Sequence, residues 1–367
     1  FAVGGTNLST LWDISFNANT FIAGDLSLNG RLFIPNDSII EEEIPLPETN
    51  WMGYSTLHDT TQYRSLNILN GFVDNILPKE SSGDVYPYIG LCGIKDHKID
   101  KLLVKEVISI FSRFFSLSDE IKNQYHNPLL GGARGYTPYK IETPKGGKHA
   151  DLKEFWQVGR DLSEDHPYRK YMFDNVYVSE IEDFQRTVNE LYKAFDDFGK
   201  ELMKAIAIYL ELDKEYFNSH INEGNSVLRA IHYPPYEIES GERSGPHGDI
   251  NLITLLIGGN KPGLEICIDD EWHPVETPQS TVVCNVGDML ERFTNHRLPS
   301  VIHRVNTPSD VSKNSSRFSI PFFLHPNPDW FIQTLESCVD DDHPNQYSEG
   351  IMADDFLQQR LYEIKLL

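Results

Sequence analysis

Cysteine is scarce: four in 367 residues (Cys92, Cys267, Cys284 and Cys338), far apart and with no C-x-x-C pair. That excludes a dense disulfide framework and suits a reducing compartment. Basic residues are also in deficit, 32 Lys and Arg against 55 Asp and Glu, for a net charge of −23. Such a balance disfavours polyanions, so nucleic acid is set aside as a partner. No apolar run is long enough to cross a bilayer, and nothing near Phe1 has the basic, then apolar, then small-residue plan of a signal peptide. The expectation is a cytoplasmic protein with no nucleic-acid or membrane partner. It is long enough to bury a substantial core, and it suits a small-molecule substrate.

What is present begins with a repeat. Residues 13–24 and 25–36 share Asp, Ser, Asn, Phe and Ile at a period of twelve. Units this short, with alternating side chains and turns at Ala23-Gly24 or Asn29-Gly30, read as β-arcs or hairpins that gain stability by stacking, a route to self-association. The text of residues 24–33 resembles repeats of viral fibre or appendage proteins, which makes virion association a rival expectation. Two copies are few for a solenoid, and a packed N-terminal extension is the other reading. The boundary is placed so that 1–36 is a twelve-residue β-repeat extension and 37–367 a second domain. Residues 38–50, acidic and Pro-containing, form a linker or a first edge strand.

Further on, a helix is expected over 60–76 and a short strand and turn within 84–94. Leu103, Val107, Ile110, Phe111 and Phe114 fall at helical spacing, predicting an amphipathic helix over 99–115 that covers a sheet. Ser118 is the expected N-cap of the next helix. The longest helical pattern, 180–212, lines up Phe184, Val188, Leu191, Phe195, Phe198, Leu202, Ile206 and Tyr209 with no charge in the stripe, as a helix behind the sheet requires. Strands are expected over 227–233, before Pro234-Pro235, and over 251–257, before Gly258-Gly259. A helix over 354–364 closes the chain.

The chemistry concentrates in residues 244–324. His247 and Asp249 stand two apart, so on an extended segment they point to one face and can share an ion. His303 offers a third ligand. Two imidazoles and one carboxylate bound facially leave positions open, which suits non-haem Fe(II) better than a closed zinc site. Arg317 and Ser319 repeat the two-residue spacing and place a guanidinium fork and a hydroxyl on one face, a fit for the far carboxylate of a small diacid.

The ordered set of His247, Asp249, His303 and Arg317-Phe-Ser319, with 261–266, 272–275, 285–290 and 294–300 between, resembles the isopenicillin N synthase-like branch of the Fe(II)/2-oxoglutarate-dependent dioxygenases. The resemblance covers roughly residues 71–367. It implies a mainly β fold with flanking helices, a double-stranded β-helix (distorted jelly roll) preceded by the short β-repeat extension. It also implies Fe(II), 2-oxoglutarate and O₂, with ascorbate as an accessory reductant, and oxidation, by default hydroxylation, of a substrate C–H bond. By the same resemblance Tyr233 joins Arg317 and Ser319 on the co-substrate, and Arg134, Tyr136 and Phe155 are candidates to touch substrate. Phe323 is preferred to Phe322 for the cavity because it shares the parity of Arg317 and Ser319. His232, on the opposite face from Tyr233, reads as a satisfied core or surface histidine. Two alternatives stay open: an Fe(II) oxidase that uses no 2-oxoglutarate, like isopenicillin N synthase, and a virion-associated structural protein carrying the module.

Overall fold

A computed structural model of the chain describes residues 54–56, 90–95, 97–143, 149–235, 242–257, 261–275, 281–307 and 314–363. All of these fall in one compact unit, Trp51–Leu367. The twelve-residue repeat, the boundary at residue 36 and the helix expected over 60–76 lie outside the described residues.

The first strands are β1 (Tyr54–Thr56), β2 (Leu91–Lys95), β3 (Gly135–Thr137), β4 (Glu154–Gly159), β5 (Val227–Tyr233), β6 (Ser244–His247) and β7 (Ile253–Ile257). They continue as β8 (Leu264–Ile268), β9 (Glu271–Pro274), β10 (Val282–Val286), β11 (His303–Val305), β12 (Arg317–Leu324), β13 (Phe331–Ile332) and β14 (Ile351–Met352). The helices are α1 (Lys101–Phe115), α2 (Asp119–Asn123), α3 (Phe184–Tyr209), α4 (Asn218–Ile221), α5 (Asp288–Phe293) and α6 (Ala353–Glu363).

Eight strands form a major sheet in the order β1-β2-β10-β7-β12-β5-β4-β3, antiparallel except for β1 with β2. Four form a minor sheet, β6-β11-β8-β9. The two sheets share buried clusters: Leu91 and Val283 of the major sheet with Leu264 and Ile266 of the minor, and Phe155, Ile231 and Tyr233 with Val305. This is the rolled pair of sheets expected from the sequence, with helices on the outer face of the larger one.

Sequence dictates that outer layer directly. The Asp100 carboxylate accepts the Leu102 amide at 2.8 Å and starts α1, whose stripe Val104, Val107, Ile110, Phe111 and Phe114 is buried. Trp156 of β4 meets Phe114 and Phe184 edge-on at 4.8 and 5.3 Å, joining α1, α3 and the sheet. Phe322 of β12 stacks on Phe195 of α3 at 5.5 Å, within 2° of parallel.

Three local expectations are corrected. The long helix spans Phe184–Tyr209 rather than 180–212, because Asp183 and Glu211 adopt left-handed φ of 61° and 60° at its two ends. Strand β7 starts at Ile253, since the Asn251 side-chain amide donates to the Ile253 carbonyl at 2.6 Å and bends the chain there. Ser118 occupies the N-cap position of α2, but its hydroxyl makes no capping bond.

Candidate metal centre and its cavity

Strand pairing builds the centre. β11 runs antiparallel to β6 with His303 directly opposite His247, so the two rings lie 4.4 Å apart. Asp249 lies beyond the end of β6 rather than on it, which corrects the expectation of one extended segment. Its position comes from the start of α5: the Asp288 amide donates to the Asp249 carbonyl at 2.7 Å. Gly287 permits this approach, because a Cβ there would sit 2.2 Å from the Asn251 carbonyl oxygen.

One ligand atom each from His247, Asp249 and His303 lies within 4.8 Å of the others. His303 Nε2 stands 3.8 Å from Asp249 Oδ1. The other ring nitrogens are committed: Nδ1 of His247 donates to the Gly245 carbonyl at 2.7 Å, and Nδ1 of His303 to the Val301 carbonyl at 3.1 Å. Those bonds fix the tautomer and leave both Nε2 lone pairs for an ion. Burial, then the neighbouring His303, holds the His247 imidazole down at about 4, so it is neutral and able to ligate at ordinary pH. For Asp249 burial works towards protonation, but the two histidines outweigh it and the carboxyl stays below its usual range. Asp249 Oδ2 is buried with no hydrogen-bond partner. A converging N, N, O donor set with an unsatisfied carboxylate oxygen fits a ferrous ion, and the same set leaves room for further ligands.

Arg317 and Tyr233 are paired across β12 and β5, with the guanidinium 5.0 Å from the tyrosine ring centre. Arg317 Nε donates to the Lys261 carbonyl at 3.2 Å, while Nη1 is buried without a partner. Burial lowers its basicity. Ser319 lies two residues along on the same face and is also buried. A sequestered guanidinium with an open donor fits a carboxylate.

A cavity of about 930 Å³ reaches His247 and Asp249. Arg134 lines it, though its guanidinium is bound to the carbonyls of Phe173 (3.1 Å) and Ala133 (2.7 Å). Phe323 lines it while Phe322 faces α3. Phe155 does not line the cavity: it is buried behind the wall, with the Arg229 guanidinium 4.2 Å from its ring centre. Tyr136 is turned to the outer layer, donating to Glu154 at 2.5 Å and packing on Phe114. His232 is likewise satisfied there, bonded to Glu154 at 2.8 Å and Ser316 at 2.9 Å.

Sequence reading missed a buried ionic network in the cavity wall. Lys153 Nζ lies 2.7 Å from both Glu142 and Asp151, and Arg229 contacts Glu142 at 3.3 Å. Glu142 is held at about 2, burial being overcome by Lys153 and Arg229. His325, another lining residue, is kept neutral by burial, at about 4. One signal was readable: in β5 Arg229 stands at the inward parity of Ile231 and Tyr233, opposite to that of His232.

Residues 224–326 match the model of the 2OG-Fe(II) oxygenase superfamily. Residues 84–180 match that of the non-haem dioxygenase in morphine synthesis N-terminal region. A 2-oxoglutarate-Fe(II) type oxidoreductase of Emericella nidulans is 30% identical over 264 residues, 68% of this chain and 74% of the relative. A crystal structure of a 2OG-Fe(II) oxygenase family protein from Caulobacter crescentus is 40% identical, with a TM-score of 0.76 over 86% of this chain and 100% of that one. A full-length Neurospora crassa protein, solved in complex with alpha-KG, is 26% identical with a TM-score of 0.69, covering 86% of this chain and 98% of that one.

Proposed function

This chain belongs to the 2-oxoglutarate-Fe(II) oxygenase superfamily, and we propose that within it His247, Asp249 and His303 hold the ferrous ion while Arg317, Ser319 and Tyr233 hold the 2-oxoglutarate. The enzyme is a 2-oxoglutarate- and Fe(II)-dependent oxygenase acting on a small molecule. The observation that carries the residue assignment is the converging donor set with Asp249 Oδ2 buried and unpartnered. Bound there, Fe(II) with 2-oxoglutarate and O₂ supplies the oxidising power for a C–H bond, the co-substrate leaving as succinate and CO₂.

The chain's own part is binding, orientation and shielding. His247 and His303 present Nε2 because the Gly245 and Val301 carbonyls hold the opposite nitrogens. Asp249 supplies the negative charge. Arg317, with Nη1 open, takes the distal carboxylate of 2-oxoglutarate and so sets the depth at which its other end meets the ligands. The buried wall keeps water from the reacting centre. Hydroxylation is the outcome we assign, in a cytoplasmic setting, with Arg134 and Phe323 beside the substrate, Phe155 backing the Arg229 guanidinium, and residues 1–36 as a separate repeat extension to a domain over 37–367. Tyr136 supports that wall from behind.

The test is anaerobic Fe(II) titration of the wild type and of Asp249→Ala, followed by succinate release with and without 2-oxoglutarate. The wild type is expected to bind one iron and release succinate only when 2-oxoglutarate is supplied, and Asp249→Ala to do neither. Turnover independent of 2-oxoglutarate would favour the oxidase alternative.

A further inference from the structure

We propose that the substrate is an organic monoanion with an apolar body, whose carboxylate is held by Arg229 and Arg134 in the cavity wall. The inference rests on the oxygenase reading above and adds to it the class of molecule oxidised.

The charges of the wall carry it. Setting aside the exposed Lys170, the iron ligand Asp249 and the groups on and beside α6, three cations line the cavity, Arg134, Lys153 and Arg229, against two carboxylates, Glu142 and Asp151. Lys153 takes both carboxylates at 2.7 Å. Arg229 is left with longer contacts to Glu142, 3.3 and 3.4 Å, and with Gln157 on its Nε at 3.0 Å. Among the described residues nothing engages its Nη2. Arg134 is 3% exposed and bonds only neutral oxygens, those of Phe173, Ala133 and, at 3.4 Å, Asn225. The nearby acids its charge feels, Asp161 and Asp174, already serve Asn175 and Arg169 at 2.6 Å each.

The wall therefore holds one cation more than it has carboxylates, and a buried, uncompensated guanidinium is costly. The metal end balances without it: a doubly charged ion with Asp249, and a dianionic co-substrate with Arg317. The surplus is left for whatever enters third. At the α6 end acids prevail instead, Asp288, Asp354 and Glu363 against Arg360, so an anion is drawn inwards. The apolar body follows from the other lining groups. Phe323 lies under Arg229 at 5.3 Å, and Ile302 and Phe173 line the cavity while remaining 44% and 49% exposed.

The experiment is calorimetric titration of the anaerobic Fe(II)·2-oxoglutarate enzyme with paired probes: phenyl-, indolyl- and alkyl-bearing carboxylic acids, such as 3-phenylpropanoate, each beside its carboxamide. The acids are expected to bind about tenfold or more tightly than their amides, the scale of one charge-assisted bond. Arg229→Gln is expected to cut that preference several-fold, Arg229→Lys to keep more of it, and Arg229→Gln with Arg134→Gln to erase it. Amides binding as well as acids, no acid binding, or a preference that survives Arg229→Gln and Arg134→Gln together would each overturn the proposal. The wild-type comparison decides even if a variant misfolds. The 2-oxoglutarate titration in the same samples separates the two failures: if the co-substrate does not bind, the oxygenase assignment falls first and takes this one with it.

Discussion

At the scale of single residues, the centre is a set of groups left incomplete by the protein. Arg317 has its Nε on a backbone carbonyl and its Nη1 on nothing. Arg317→Gln should therefore raise the KM for 2-oxoglutarate by roughly 10- to 100-fold, the loss of one charge-assisted bond, while iron content is unchanged. Steady-state succinate assays beside metal analysis check this. His325 gives a pH prediction. Burial holds it at about 4 against the usual 6.5, so between those values the unfolded chain binds more protons than the folded one. Its contribution is complete above 6.5 and is lost as pH falls towards 4, up to roughly 3 kcal/mol. Thermal melts of the iron-free protein from pH 7 to 4.5 should fall less steeply for His325→Gln than for the wild type. The convergence of His247, Asp249 and His303 was legible in the sequence because the first two stand two apart and the third follows in one ordered stretch of family-like text. The wall network was not: Glu142 and Arg229 stand 87 residues apart, and only strand pairing brings them together.

At the scale of elements, β12 shows how one strand serves two layers. Phe322 is fully buried between Tyr192 and Phe195 of α3, whereas the next residue, Phe323, turns into the cavity. Phe322→Ala should cost about 3–5 kcal/mol of stability with kinetics per folded molecule little changed. Phe323→Ala should cost less in denaturant melts and act instead on substrate KM. Equal destabilisation by the two would contradict this division of faces. Another test lies at the end of β4, where the Arg134 guanidinium rests on Gly159 so closely that a Cβ would lie 2.0 Å from it. Gly159→Ala should displace Arg134 and weaken substrate binding while leaving the iron ligands intact, read as raised substrate KM with normal metal content. Helices α1 and α3 were legible because an uninterrupted apolar stripe has only one use against a sheet. The ends of α3, and the start of β7, were not. Those depend on left-handed residues at 183 and 211 and on the Asn251 amide, local choices to which periodicity is blind.

At the scale of the whole molecule, the described unit has a helical layer, a major sheet and a minor sheet, and the cavity needs one more wall. α6 provides it. Leu357, Gln358 and Leu361 line the cavity, and Arg360 reaches Asp288 of α5 at 3.4 Å, next to the loop that sets Asp249. The helix contributes little to the core, with only Ala353 and Phe356 buried. A helix tied to its neighbours mainly by its first turn and one ion pair can be removed with limited loss of fold but not of enclosure. Truncation after Met352 should therefore leave a folded, iron-binding protein whose cavity is open to water. Productive oxidation needs water kept from the reacting centre, so the truncated enzyme should release succinate with less oxidised substrate per turnover. Measuring both products in one reaction gives that ratio directly, and an unchanged ratio would remove α6 from the working site. Arg360→Ala is the milder version: it cuts the tie to Asp288 while keeping the helix, and it should shift the ratio in the same direction by a smaller amount.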